Sequence, residues 1–154
     1  MALVSVVMAV HNGASHLAEA MESVLTQDGV DADFVVVDDG STDATADILN
    51  AIVDSRLTVL ANGRNLGLTT SLNRGLATAT GRFIARMDAD DVSLPGRLRA
   101  QAETLERTGA EICFGRYVIE RDGETHVWKE NPWPLILWRG LFENAYGAHP
   151  AVMV

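Results

Sequence analysis

The sequence predicts an α/β fold, with a central, mostly parallel sheet flanked by helices and a mixed arrangement toward the C-terminal end. Three observations carry this. Short apolar runs rich in β-branched residues recur at 3–10, 34–37, 57–60 and 83–87. Between them lie segments whose apolar residues return at helical spacing. The runs are continuous rather than alternating, as strands covered on both faces require.

Residues 3–10, LVSVVMAV, give the first strand, which His11-Asn12-Gly13 breaks. Over 14–26 the residues Leu17, Met21, Val24 and Leu25 keep helical spacing, and Asp28-Gly29 ends the helix. The second strand runs into Asp38-Asp39-Gly40-Ser41-Thr42-Asp43, where Ser41 or Thr42 is placed to cap a helix turning Ile48, Ile52 and Val53 inward. After the third strand Asn62-Gly63-Arg64-Asn65 supplies a turn, and Leu68, Leu72 and Leu76 space a helix closed by Gly81. The helix after Pro95 presents Leu98, Ala102 and Leu105 and stops at Gly109.

Beyond it the rhythm changes. Residues 112–119 and 124–129 read as a hairpin across Arg121-Asp122-Gly123, and 135–142 as a short helix. Trp128, Trp133 and Trp138 suit either core packing or a wall facing an acceptor or a membrane interface. The apolar run opened by His149-Pro150 reaches Val154 without a polar ending, so the sequence is expected to continue.

A chain of 154 residues with 47% hydrophobic composition builds one core, hence one domain or part of one. A net charge of -9 argues against a nucleic-acid partner, whose phosphates call for clustered Lys and Arg. Cys113 is a single cysteine in an apolar run and reads as a small core side chain in a reducing compartment. The first ten residues lack a basic leader, and no run approaches transmembrane length.

In doubly wound sheets ligands bind outside the carboxyl ends of the strands, which brings Val10, Asp39 and Asp88 to one edge. The stretch Arg82 to Asp91, RFIARMDADD, delivers Asp88, Asp90 and Asp91 there. Such carboxylates suit a magnesium or manganese ion shared with a phosphate. Taken alone they equally suit capping of the helix that Pro95 begins. Arg82, Arg86, Arg97 and Arg99 read as solvated or paired and are assigned no phosphate.

In order and spacing, VSVVMAVHNG, VVVDDGSTDAT, the segment from Asn65 to Asp91, LPGRL and a closing HPAV together resemble the nucleotide-diphosphosugar glycosyltransferases of family 2. These are inverting enzymes of the Rossmann-like GT-A fold. The resemblance spans the chain. It implies a single domain, 1–154, truncated, with a nucleotide-sugar-binding half over about 1–110 and the start of an acceptor half over about 111–154. The implied reaction moves a sugar from a donor, expected to be a UDP-sugar, to a hydroxyl of a saccharide or lipid-linked acceptor.

By the same resemblance Asp39 would accept the uracil N3–H, and backbone around Ala9, Val10 and His11 would meet the base from below. The family usually has P-x-Y-N here, and Ala9 and His11 depart from it, leaving the His11 ring to pack on the nucleotide or the next loop. Asp88 would meet the ribose or the metal shell and Asp90 would ligate Mn or Mg, with Asp91 structural. Arg64 and Asn65 could touch the donor, and a turn role serves Asn65 equally. The general base is expected beyond Val154, so weak or no transfer is expected from these residues alone. The full-length protein is expected in the cytoplasm, peripherally at the inner membrane face, in polysaccharide or cell-envelope synthesis.

Rival readings are a nucleotide-sugar-binding module without turnover and a nucleotidyltransferase, whose Gly- and Arg/Lys-rich signature after the first strand is absent. A dinucleotide-dependent oxidoreductase would need G-x-G-x-x-G where Gly13 stands alone. An aspartyl phosphatase would need D-x-D where His11-Asn12 stands.

Overall fold

In a computed structural model, residues 4–115, 118–121, 124–127 and 152–154 are described. Strands and helices alternate as β1 (Val4–Val10), α1 (Leu17–Leu25), β2 (Ala32–Asp38), α2 (Thr45–Ala51), β3 (Leu57–Ala61), α3 (Leu68–Thr78), β4 (Phe83–Asp88) and α4 (Arg97–Thr108). Then come β5 (Cys113–Phe114), β6 (Val118–Arg121), β7 (Glu124–Val127) and β8 (Val152–Met153). The main sheet has the order β3-β2-β1-β4-β8-β5, and β6 with β7 forms a separate hairpin. β1 to β4 pair in parallel, whereas β8 runs antiparallel to both β4 and β5.

β1 is central because it has an apolar face on each side. Val4, Val6, Met8 and Val10 join one core with Leu17, Met21, Phe34, Leu98 and Leu105. Val7, on the opposite face, meets α3. The polar interruption in β1, Ser5, is fully buried and accepts hydrogen bonds from the backbone N–H of Thr80 (3.1 Å) and Gly81 (2.8 Å). That clasp fixes the entry into β4 beside β1, in the register Val4 opposite Phe83. Consequently the far ends are level too, with Val10 opposite Asp38 and Ala9 opposite Asp88.

Two helix faces differ from the spacing-based expectation. Ser71 and Gly75 are the residues α3 buries, while Leu68 (53% exposed) and Leu76 (45%) lie outside. Small residues let the helix approach the sheet closely: a Cβ on Gly75 would stand 2.7 Å from Val7 Cγ1. Leucines on that face would hold it off, so Leu72 and Leu76 flank the contact and line a groove with Val7 and Ile84. In α2, Ile48 and Ile52 pack against the core as expected, but Val53 is 98% exposed and Leu49 is the residue buried. The helix ends at Ala51, and Ile52 is already extended, which turns Val53 away. Leu49→Ala is therefore expected to cost about 3 kcal/mol, and Val53→Ser less than about 0.5 kcal/mol. Urea denaturation of both variants checks this, and the reverse ranking would refute the observed face.

Neither Ser41 nor Thr42 caps α2. The Thr45 N–H at its start bonds Asp43 Oδ1 (3.0 Å), while the Ser41 and Thr42 groups face the loop after β1. The expected hairpin is present as β6 and β7, but β5 breaks away from it to pair with β8. The predicted helix over 135–142, the tryptophans 128, 133 and 138, and His149-Pro150 lie outside the described residues. Among the described residues no helix is long and apolar enough to cross a membrane.

Candidate functional site

The level ends of β1, β2 and β4 carry the polar residues that the sequence singles out. The Asp39 N–H, just past β2, bonds the Val10 carbonyl at 2.7 Å, so the chain turns out of both strands together. The Asp39 side chain then folds inward and is almost fully buried. Its Oδ1 accepts from Asn62 Nδ2 (2.7 Å) and the Leu66 N–H (2.8 Å), and its Oδ2 from the Gly67 N–H (2.8 Å). Burial by itself pushes the Asp39 carboxyl up, but the bonds from Leu66, Asn62 and neighbouring donors outweigh it and hold the group at about 2. Asp39 is a fixed anion.

Asn62 connects this anion to a second layer. Its Nδ2 also donates to Ser71 Oγ (2.9 Å), while its Oδ1 accepts from Arg74, which reaches the Ala61 carbonyl (2.8 Å) as well. The loops after β1 and β2 are laced to each other. The Asn12 N–H bonds Ser41 Oγ (2.9 Å), the Thr42 N–H bonds Asn12 Oδ1 (2.8 Å), and the Gly13 N–H bonds Thr45 Oγ1 (2.9 Å). Asp38 accepts from the Ser41 N–H (3.0 Å), ordering the same turn. His11 Nδ1 lies 3.0 Å from the Asp39 carbonyl oxygen, tying its ring to the neighbouring loop.

A cavity of about 170 Å³ opens above this network, lined by Ala9, Val10, His11, Asp39, Asn65, Gly67 and Leu68. Five of the sequence-selected residues, Ala9, Val10, His11, Asp39 and Asn65, thus meet around one space. Arg64 does not line it: the residue is exposed, and its backbone packs beneath Gly40. Asn65 Oδ1 also accepts from the Gly67 N–H (3.0 Å), so it shapes the turn while facing the cavity.

Asp88 stands next to Ala9 across the β1–β4 pairing and is half-buried, whereas Asp90 is exposed. Burial, then the nearby charges of Asp90 and Asp88, push the Asp91 carboxyl up, against a counter-pull from Arg86 and Arg97. Three carboxylates therefore share one strand tip. No ready-made cage of three metal-ligating side chains occurs among the described residues. Asp88 and Asp90 supply carboxylate oxygens of the hard type that a divalent cation takes, two residues apart at the end of β4.

Sequence reasoning gives Asn62 only a turn role and passes over Ser71, Arg74 and Gln27. Gln27 is buried, donates to the Ser93 (3.1 Å) and Leu94 (3.0 Å) carbonyls, and accepts from the Leu98 N–H (3.3 Å), bracing the segment after the acidic tip. Each looks like a surface residue in the sequence. The available signal was position: Asn62 follows a strand end, and Gln27 follows a helix end.

The sequence profile described as Glycosyl transferase family 2 matches residues 5–151. Succinoglycan biosynthesis protein ExoO of Rhizobium meliloti is 41% identical over 123 residues, covering 79% of this chain and 35% of the relative. UDP-Glc:alpha-D-GlcNAc-diphosphoundecaprenol beta-1,3-glucosyltransferase WfaP of Escherichia coli is 34% identical over 122 residues, covering 79% of this chain and 49% of the relative. Among solved structures, the mannosyltransferase of Pyrobaculum calidifontis in complex with GDP-Man and Mn2+ superposes with a TM-score of 0.66 at 25% identity, covering 72% of this chain and 34% of that one. The chain thus spans a third to a half of the length of these relatives. With the Rossmann-like sheet and the matched profile in agreement, the chain belongs to glycosyl transferase family 2 and has its GT-A fold.

Proposed function

We propose that the edge formed by β1, β2 and β4 binds a UDP-sugar, and that the whole protein transfers the sugar with inversion, in a metal-dependent reaction, to a hydroxyl of a saccharide or lipid-linked acceptor in polysaccharide synthesis. One observation supports the reading: a cavity lined by an ionised, immobilised carboxylate lies one strand from an acidic tip. A uracil ring presents an N3–H donor, and Asp39 is an acceptor held ready for it. Because Asn62, Leu66 and Gly67 already fix that carboxylate, binding a base requires little further ordering. Ala9, Val10, His11 and Asn65 line the same cavity.

Asp88 and Asp90 are the residues we assign to a divalent cation, Mn or Mg. Such an ion supplies Lewis-acid stabilisation of the charge on a departing nucleoside diphosphate. Asp88, beside Ala9, also faces the region where a ribose would follow the base. No described carboxylate is assigned the role of general base. The UDP-Glc named for the E. coli relative supports a uracil nucleotide, and the Mn2+ complex of the archaeal enzyme supports the cation.

Calorimetry with UDP, GDP and dTDP, each with and without manganese, tests the proposal. UDP is expected to bind most tightly and only with metal, and Asp90→Asn to abolish the metal requirement together with tight binding. Preference for GDP would overturn the base assignment alone. Indifference to manganese would overturn the roles of Asp88 and Asp90.

A further inference from the structure

The Asp88 carboxylate already has a cation on it. Arg86 Nη2 stands 2.6 Å from Asp88 Oδ1, and Arg86 Nη1 donates to Oδ2 at 3.0 Å. Residues two apart on a strand project from the same face, so β4 itself sets the two side chains side by side. Arg86 also lines the apolar groove of Val7, Leu72, Leu76, Ile84 and Val154, and its guanidinium reaches Asp88 at the strand tip. Both side chains are mostly covered, at 23% and 29% exposure, so water screens the pair less than it would a surface one.

The second arginine near the tip does not share this duty. Arg97 donates to the Arg86 carbonyl (2.9 Å), Gln101 Oε1 (3.1 Å) and Ser93 Oγ (3.4 Å), none of them a carboxylate. It acts on the acidic residues only through space.

A divalent ion at Asp88 needs the oxygens that Arg86 holds. We infer that Arg86 is the resident counter-cation of Asp88, and that a divalent cation reaches the tip of β4 by displacing the guanidinium. Arg86 thereby weakens binding of the bare ion and makes the tip depend on a nucleotide diphosphate, whose phosphate oxygens add the ligands that complete the exchange. This deepens the proposed function and rests on its cation site. The alternative role, a brace holding Asp88 in a ligating pose, predicts the opposite sign: removing a competitor tightens metal binding, and removing a brace loosens it.

The experiment is titration of Mn2+ into the whole chain, read from the electron paramagnetic resonance of the free ion, first without nucleotide and then with UDP. The proteins are the parent, Arg86→Met, Arg86→Lys and Arg82→Met, each checked for folding by circular dichroism. Arg82 pairs with Glu106 at 3.2 Å before the start of β4, so its removal changes net charge equally without touching Asp88. Without nucleotide, Arg86→Met is expected to bind Mn2+ about fivefold more tightly than the parent. Arg86→Lys, which keeps charge but loses the two-pronged contact, should fall between them, and Arg82→Met should match the parent. Equal or weaker binding by Arg86→Met, with UDP-dependent Mn2+ binding intact in the parent, overturns the inference and leaves the cation site standing. An equal gain in Arg82→Met reduces the effect to net charge and overturns it as well. If no protein binds Mn2+ even with UDP, the cation site itself falls and the inference falls with it.

Discussion

Gly40→Ala is expected to destabilise the chain by about 4 kcal/mol and to lower its melting temperature by roughly 10 °C. Gly40 has φ +68°, and a Cβ built there would stand 2.4 Å from the Arg64 carbonyl carbon, 2.6 Å from Arg64 Cα and 2.7 Å from the Asn65 nitrogen. All three are backbone atoms, so no side-chain rotation relieves the overlap. The turn after β3 has to back away, and that turn carries the Leu66 and Gly67 N–H groups that hold Asp39. Stability and nucleotide binding should therefore fail together. Gly63, in the same turn, has nothing within 4 Å of its virtual Cβ, and Gly63→Ala should melt within about 2 °C of the parent. Thermal melts followed by circular dichroism decide the matter, and a Gly40→Ala protein melting with the parent would show that the two loops do not approach so closely.

Asp39→Asn is expected to cost about 3 kcal/mol of stability and to reduce UDP affinity about 100-fold. The amide preserves shape but offers one oxygen where three donors converge, and its NH2 confronts a backbone N–H. The pH dependence identifies the group. Asp39 is held at about 2, below its ordinary 3.8, so its contribution to stability is complete above the ordinary value and disappears as pH falls toward 2. The Asn variant should lack that part of the acid slope. Asp43, lowered chiefly by the Thr45 hydroxyl, and Asp54, lowered to about 2 chiefly by Arg56, titrate in both proteins. The difference between urea midpoints measured from pH 6 to pH 2.5 thus isolates Asp39. Parallel curves in parent and variant would mean that Asp39 is not preferentially stabilised as an anion.

What the sequence reveals and what it conceals follow from the range of the interactions. The two inner strands β1 and β2 are legible because burial on both faces demands largely apolar runs, as in VSVVMAV and FVVV. The meeting of Val10, Asp39 and Asp88 is legible because topology alone puts strand ends on one edge. The inner face of α3 is not, since an apolar stripe indicates burial only when space decides nothing else. Here close approach favours Ser71 and Gly75 over the leucines. Asn62 and Gln27 are concealed for a related reason: a polar residue is read as surface unless its partners are known, and theirs lie up to 71 positions away. Ser41 and Thr42 have the chemistry of helix caps, yet the demands of the facing loop at Asn12 prevail over a local bond.

The place of β8 bears on how the molecule comes together during translation. Met153 pairs with Ala85 on one side and Cys113 on the other, so in the described sheet β5 is joined to the rest through β8 alone. A ribosome would have released β1 to β4 and α1 to α4 on the order of seconds before it supplied residue 152. During that interval the outer margin of β4 is an unpaired strand edge, open to mispairing with a neighbouring nascent chain. The β1 to β4 portion can be finished first, and β8 then acts as a wedge that seals the margin.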